Sequence, residues 1–180
     1  PIASASGNMI IDIGGGTSEM AVIALGDIIC SSSVRVGGNR FDESIVSQIR
    51  KKNNLVIGLV TAENVKIKIG AALPVKKEIS LEVSGCNFIT GLPESVIVST
   101  ADIVLALREP INEIIAVVKA VLQKTPPELA ADVMDKGIVM TGGGSQLRGL
   151  DKLLTKVTGV PCQVAEDPQL CVAKGTGVAI

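Results

Sequence analysis

The sequence predicts an α/β fold with a mixed sheet and an inserted small α+β lobe. Two stretches, residues 9–18 and 137–145, each contain an apolar strand followed by three glycines. Strands alternate with helices after the second stretch, which is typical of a parallel sheet. In the middle of the chain apolar and polar residues alternate strictly, which predicts an antiparallel sheet with one solvent-exposed face. We therefore predict a core domain over residues 1–37 and 99–180, interrupted by a lobe over residues 38–98.

The first strand carries one acid near its end, Asp12, and runs into Gly14, Gly15, Gly16 and Thr17. A plain turn between two strands is the simplest interpretation of such a glycine run. However, an acid among isoleucines is drawn towards the core, and a buried charge is costly unless a cation or strong donors meet it. A hydrated Mg²⁺ would meet it. Glycines also let backbone N–H groups approach phosphate oxygens, with the Thr17 hydroxyl as a further donor, so the stretch indicates a magnesium-nucleotide site.

The segment after the first glycine turn predicts a hairpin and a helix. Residues 18–36 read as two strands around Gly26 and Asp27, which form a two-residue turn. Residues 40–52 place their apolar side chains on one helical face and end in three basic residues, which suits the helix dipole. We interpret this basic triplet as a solvated helix end and not as a binding patch.

The lobe is predicted to hold a second helix and a small antiparallel sheet. Thr61 can cap a helix over residues 62–69. On that helix Glu63 and Lys66 share one face, at a spacing typical of a surface ion pair. Strands are predicted at residues 78–84, 88–89 and 95–98.

The remainder of the core domain is predicted to be mainly helical. A long helix begins at Ser99, where an acid three residues later completes a capping box. Its apolar stripe faces the core, and Pro110 should kink or break it. Thr125 begins the next helix with a second capping box. A strand at 162–164 and a last helix opened by Asp167 follow the second glycine stretch.

The second glycine stretch repeats the design of the first. Residues 137–140 predict a strand, Gly142, Gly143 and Gly144 a turn, and residues 146–154 a helix. Two such units in one short chain are much less expected by chance than one. No Gly-Lys-Ser/Thr follows either turn, and neither shows the spacing Gly-x-Gly-x-x-Gly, which excludes the P-loop and the dinucleotide loop.

Composition narrows the classes of function. The 180 residues include no histidine, which excludes imidazole catalysis and histidine metal ligands. Two phenylalanines, no tyrosine, no tryptophan and a net charge of −1 disfavour nucleic acid as a partner. No apolar run approaches the roughly 18 residues that cross a bilayer. The four widely spaced cysteines indicate reduced core thiols of a cytosolic protein, not disulfides or a zinc site.

Several stretches resemble one family of ATPases. Asp12 to Thr17 resembles the second phosphate loop of the actin, Hsp70 and sugar-kinase ATPases, which implies an actin-like, ribonuclease H-like ATPase domain. The stretches that narrow the resemblance to the MreB family of bacterial actins are residues 12–26, 35–43, 61–70, 107–110 and 124–150. The similarity covers essentially the whole chain, but it corresponds to only the second half of an MreB-like protein. The chain is thus identified with the second large subdomain and its inserted lobe.

The resemblance implies roles for individual residues. It assigns Asp12 to the hydration shell of Mg²⁺, Gly14 to Thr17 to the β- and γ-phosphates of ATP, and Gly142 to Gly144 to the nucleoside and α-phosphate. It also implies that Glu63 and Lys66 contact adenosine, as the alternative to a surface ion pair. Asn39 stands where the family usually has Asp.

The resemblance further implies a cytoskeletal filament protein. Its subunits would associate head to tail and determine rod cell shape by organising cell-wall synthesis. They would work in the cytoplasm at the inner face of the cell membrane, with cell-shape and wall-synthesis partners such as RodZ. The first phosphate hairpin, the catalytic glutamate and the membrane-binding element belong to the first half of the family's chain. We therefore expect an excised fragment that alone shows no ATPase activity, binds nucleotide weakly at most and self-associates weakly.

Two other classes of ATPase share the glycine loop. An Hsp70-type chaperone would continue into a substrate-binding domain, and a small-molecule kinase would carry a substrate-specific insertion. Neither feature is visible in the sequence. We therefore expect a filament protein in preference to a chaperone or a kinase.

Overall fold

The computed structural model describes residues 6–179. The strands are β1 (Asn8–Ile13), β2 (Ser18–Ala24), β3 (Asp27–Val34), β4 (Leu55–Val56), β5 (Ser80–Asn87), β6 (Pro93–Ser99), β7 (Ile138–Thr141) and β8 (Cys162–Val164). The helices are α1 (Gly38–Asn53), α2 (Leu59–Ile69), α3 (Thr100–Lys124), α4 (Pro127–Lys136), α5 (Leu150–Thr158) and α6 (Cys171–Ala179), and a 3₁₀ helix spans Gly143–Gln146. Among these helices, none is long and apolar enough to cross a membrane.

The chain divides into two compact units. The core unit comprises the described parts of residues 1–38, 112–146 and 150–180. The lobe unit comprises residues 39–111 and 147–149. Helix α3 contributes to both units, and the change falls directly after Ile111. The division into a core domain and an inserted lobe at residues 38 and 98 stays a prediction.

The core unit is built on a five-stranded sheet of order β3-β2-β1-β7-β8. Its strands β3, β2 and β1 are antiparallel, whereas β1, β7 and β8 are parallel. Alternate residues of β1 face a packed interior, where Met9, Ile11 and Ile13 are at most 1% exposed. The parallel register pairs Asp12 with Thr141, so the carboxyl ends of β1 and β7 lie side by side. The mixed sheet predicted from the sequence is confirmed.

The hairpin of β2 and β3 turns one residue earlier than predicted. Leu25 and Gly26 both have a positive φ, 55° and 86°, as a type I′ turn requires. Asp27 is the first residue of β3 and not part of the turn. The prediction was wrong because leucine seldom adopts this backbone conformation, so the sequence did not mark its position.

The lobe unit contains α1, α2 and a three-stranded antiparallel sheet of order β4-β5-β6. The predicted strand at residues 88–89 is wrong. The side-chain oxygen of Asn87 accepts hydrogen bonds from the backbone N–H groups of Ile89 and Thr90 and holds a turn there. Strand β4 was not predicted, because two residues carry no readable periodicity.

The predicted helix caps had different outcomes. Ser99 and Asp102 bond reciprocally, since each backbone N–H donates to the other's side-chain oxygen at 3.2 and 3.4 Å. That capping box is confirmed. Thr125 does not cap α4, because its hydroxyl donates to the carbonyl oxygen of Val121 at 2.9 Å. Thr61 lies inside α2 and not at its start.

Three other helix boundaries differ from the prediction. Helix α3 runs through Pro110 without a break. Helix α5 begins at Leu150, because the 3₁₀ helix takes up Gly143–Gln146 and residues 147–149, which are not helical, lie between it and α5. Asp167 does not open α6. Its φ is 49° and its carbonyl oxygen accepts the N–H of Leu170 at 2.8 Å, so it forms a turn before that helix.

The four cysteines are free thiols, as predicted, but they are not core residues. Cys86 is exposed, and Cys30, Cys162 and Cys171 are half-buried. Cys30 lies on β3 and Cys162 on β8, the two edge strands of the core sheet, which are covered less completely than the central strands. The apolar neighbours of Cys30 and Cys162 in the sequence do not reveal that both lie on edge strands.

Candidate functional site

The two glycine turns lie next to each other in the core unit. Each follows a strand of the parallel pair β1 and β7, whose carboxyl ends share one edge of the sheet. An ideal Cβ at Gly144 would lie 2.4 Å from Cγ2 of Ile13, the last residue of β1. At Gly142 it would lie 2.3 Å from the Ile13 carbonyl oxygen. The structure therefore brings the two predicted turns together around the end of β1.

Asp12 lies at this junction and is half-buried. Strand alternation turns its side chain away from the interior that holds Ile11 and Ile13. The hydroxyl of Thr141 donates a hydrogen bond to its Oδ1 at 2.7 Å. Its other oxygen, Oδ2, lies on the side of the first glycine turn, 3.9 Å from where a Cβ on Gly14 would stand. One carboxylate oxygen is thus held by the protein, and the other faces the turn.

The first glycine turn is closed by its own backbone. The N–H of Gly14 donates to the carbonyl oxygen of Thr17 at 2.9 Å, and the N–H of Gly38 donates to the carbonyl oxygen of Gly14 at 2.9 Å. The Gly14 amide is therefore already engaged. Gly15 and Gly16 are exposed residues, and in the described part of the chain their amides make no hydrogen bond, so they are the donors that an anion could reach.

Gly37 supports the first turn and was not predicted as a site residue. An ideal Cβ on Gly37 would stand 2.5 Å from the Gly14 carbonyl oxygen and 2.7 Å from that of Gly15. Any side chain there would push the turn away. The sequence signal that could have found it is the doublet of Gly37 and Gly38 between the predicted hairpin and the predicted helix.

The second glycine turn is packed more tightly than the first. The N–H of Gly142 donates to the carbonyl oxygen of Pro168 at 2.9 Å, and the hydroxyl of Ser145 donates to the carbonyl oxygen of Gly142 at 2.7 Å. Gly143 is exposed and Gly144 is half-buried. The part of this turn that a ligand can approach is therefore centred on Gly143.

Glu63 and Lys66 lie on α2 in the lobe unit. The Lys66 ammonium lies 2.9 Å from both oxygens of Asp42, and Oδ2 accepts its hydrogen bond. Burial raises the pKa of Asp42, the nearby Lys66 opposes this shift, and the charge of Glu63 adds to it. Lys66 is thus held by a buried acid. Sequence reasoning missed this pair because 24 residues separate its members.

The residues at the turns fit a hydrated divalent cation. In residues 6–179 no group of three or more acids, cysteines or histidines could enclose a metal ion. A single carboxylate beside a turn with unpaired amides suits Mg²⁺, which keeps several waters and takes its other ligands from phosphate oxygens. Asp12 can supply that carboxylate through Oδ2.

Comparison with known proteins gives the family. The model described as MreB/Mbl protein matches residues 1–180. The chain belongs to the MreB/Mbl family. The cell shape-determining protein MreB of Escherichia coli (strain K12) is 47% identical over 180 residues, which is 100% of this chain and 52% of that protein. The cell shape-determining protein Mbl of Bacillus subtilis (strain 168) is 45% identical over 175 residues, or 97% of this chain and 53% of that protein.

Solved structures confirm the predicted actin-like fold of this MreB/Mbl family member. The crystal structure of MreB5 of Spiroplasma citri bound to ADP matches with a TM-score of 0.95 at 40% identity, covering 98% of this chain and 54% of that chain. The MamK double helical filament matches with a TM-score of 0.75 at 24% identity, covering 90% and 50%, and shows the fold alone. The chain spans about half the length of the curated relatives it matches. The chaperone alternative is not favoured.

Proposed function

We propose that this chain is the ATP-binding half of a cytoskeletal filament protein that determines rod cell shape by organising cell-wall synthesis. The observation that carries the proposal is the meeting of two glycine turns and one carboxylate at the carboxyl ends of β1 and β7. Membership of the MreB/Mbl family supports the cell-shape role, because the curated relatives are named cell shape-determining proteins.

The nucleotide is proposed to bind along the two turns. The amides of Gly15 and Gly16 and the hydroxyl of Thr17 would bind the β- and γ-phosphates, because unpaired N–H groups in a concave turn attract anions. Gly142 to Gly144 would border the nucleoside and α-phosphate. The proposal is supported by MreB5 of Spiroplasma citri, which has been solved bound to ADP and to AMPPNP.

Magnesium is proposed to accompany the nucleotide. Bound Mg²⁺ would neutralise phosphate charge. Asp12 would hold its water shell through Oδ2, and this shell would lie next to the first turn. On the lobe unit, Glu63 and Lys66 are proposed to contact adenosine, and the ion pair with Asp42 would fix the Lys66 side chain before the nucleotide arrives.

Filament formation and location complete the proposal. Subunits would associate head to tail in the cytoplasm, at the inner face of the cell membrane. Their partners would be membrane-associated proteins such as RodZ. The membrane contact would lie in the half of the family's chain that this sequence does not cover. ATP turnover is proposed for the intact protein. We expect none from the 180 residues alone, because they correspond to about half of the relatives' length.

Electron microscopy of the intact gene product tests the proposal. We expect long straight filaments with Mg-ATP and few or none when the magnesium is chelated. A chaperone or a small-molecule kinase would give discrete particles under both conditions. Discrete particles with Mg-ATP, at concentrations where calorimetry shows the nucleotide to be bound, would contradict the filament function while leaving nucleotide binding intact.

A further inference from the structure

Thr141 is the last residue of β7 and stands beside Asp12 in the parallel register. Its hydroxyl donates to Asp12 Oδ1 at 2.7 Å. The sequence alone gives Thr141 no role in the site. The structure instead places its one side-chain donor on the carboxylate that is proposed to face the cation.

The Thr141 hydroxyl is a rigid donor. The residue is 8% exposed, and the preceding Met140 is fully buried. A β-branched side chain in a strand has few accessible χ1 rotamers, and burial reduces them further. The donor is therefore in position before any ligand binds.

The hydrogen bond determines which carboxylate oxygen is available. Oδ1 accepts the hydrogen bond from Thr141. Oδ2 lies on the side of Gly14, 3.9 Å from an ideal Cβ built on that glycine. Without the hydroxyl, the carboxylate could rotate about its last bond, since such torsions have broad energy wells. We propose that Thr141 is a positioning residue, which fixes the Asp12 carboxylate so that Oδ2 faces the water shell of a divalent cation carried by the nucleotide.

This role differs from a purely structural one. Asp12 is only half-buried, so water can replace the lost donor and the fold does not depend on this hydrogen bond. The loss should instead appear in cation binding. Partners that orient direct metal ligands contribute about 10–100-fold to metal affinity, and a partner of an acid that acts through water should contribute at or below the lower end of that range. The inference rests on the proposed nucleotide site.

The test measures binding and not turnover. Mn²⁺ serves as the paramagnetic probe for the divalent site, and its binding to the intact gene product with saturating ADP is followed by electron paramagnetic resonance. Thr141→Val keeps the shape and removes the donor, whereas Thr141→Ser keeps a hydroxyl. Thr125→Val is the matched control. Thr125 is also 8% exposed, and this variant likewise loses a side-chain hydrogen bond, here one donated to the backbone carbonyl of Val121.

We expect Thr141→Val to weaken Mn²⁺ binding by several-fold to about tenfold, with Thr141→Ser close to the wild type and Thr125→Val unchanged. Thr141→Ala removes the same donor and replaces the valine variant if that variant does not fold. Wild-type Mn²⁺ affinity in a folded valine or alanine variant would overturn this inference and leave the proposed function standing. A wild-type protein that shows no nucleotide-dependent Mn²⁺ site would overturn the proposed function and this inference with it.

Discussion

The two glycine turns have almost the same sequence but use their glycines for different reasons. In the first turn, nothing lies within 4 Å of an ideal Cβ on Gly16. In the second, Gly142 has a φ of 82°, and Cβ atoms on Gly142 and Gly144 would both collide with Ile13. The first turn is open to solvent, whereas the second is pressed against the end of β1.

This difference shows that a glycine run can have two physical causes. A side chain at Gly142 or Gly144 would break the packing between β7 and β1, so these two glycines are required by the fold. A side chain at Gly16 would meet only the space that a ligand is proposed to fill. Changes in the two turns should therefore separate stability from binding.

The largest expected effect is that of Gly142→Ala on stability. An alanine at a φ of 82° costs about 1–2 kcal/mol, and the contact of 2.3 Å with the Ile13 carbonyl oxygen must be relieved by moving one of the strands. We expect the free energy of unfolding to fall by about 2–5 kcal/mol, measured by urea denaturation. Gly16→Ala is the matched control. If Gly142→Ala were as stable as the wild type, the second turn would not be fixed by packing against β1, and the two turns would not differ in this respect.

The next effect is that of Asp12→Ala on magnesium-dependent turnover in the intact gene product. The first strand carries a carboxylate, that of Asp12, next to its last residue, and the second ends with the hydroxyl of Thr141, so only the first offers an anionic group to the water shell of a cation. We expect ATP turnover to fall below detection while the melting temperature stays close to that of the wild type. Asp27→Ala removes an exposed acid at the far end of the hairpin and should change neither quantity. Unchanged turnover in Asp12→Ala would contradict the assignment.

A smaller effect is expected for Gly16→Ala on nucleotide affinity. Gly16 does not have a positive φ, so alanine fits the backbone, and stability should be unchanged or up to about 1 kcal/mol higher. The added methyl group would hinder the approach of phosphate oxygens to the turn. We expect calorimetry with Mg-ATP to show about a tenfold loss of affinity, equivalent to about 1.4 kcal/mol. Full affinity would show that phosphates do not bind at Gly16.

The strand-turn units could be predicted from the sequence because their signals are local. An apolar strand followed by glycines predicts the same local structure in both places, and the parallel pairing of β1 and β7 agrees with the predicted parallel section of sheet. Family resemblance supplied the actin-like fold. What could not be predicted was contact between distant segments. The hydrogen bond from Thr141 to Asp12 depends on strand register, and the close approach of Gly37 to Gly14 depends on where the chain crosses itself. No spacing in the sequence indicates either contact.

The same limit explains the errors at helix starts. Thr61 and Thr125 both have the residue type of a cap, but a threonine hydroxyl can also bond to other nearby backbone groups. In Thr125 the hydroxyl bonds back to Val121 at the end of α3. Ser99 succeeds because its acid partner, Asp102, also bonds Lys52, which fixes the carboxylate. A cap motif therefore predicts a helix start best when tertiary contacts hold its acid.

The smallest expected effect is that of Gly143→Ala, the exposed position of the second turn. Its ideal Cβ would lie 3.6 Å from the side-chain nitrogen of Gln169, an ordinary contact, and its φ is not positive. Stability should therefore stay within about 0.5 kcal/mol of the wild type, unlike that of Gly142→Ala one residue earlier. Nucleotide affinity should fall only severalfold, because the nucleoside is proposed to lie beside this turn and can shift away from one methyl group. Urea denaturation and calorimetry on the same protein separate these outcomes. A loss of stability as large as that of Gly142→Ala would mean that the whole second turn is fixed by packing, leaving no part of it shaped for a ligand.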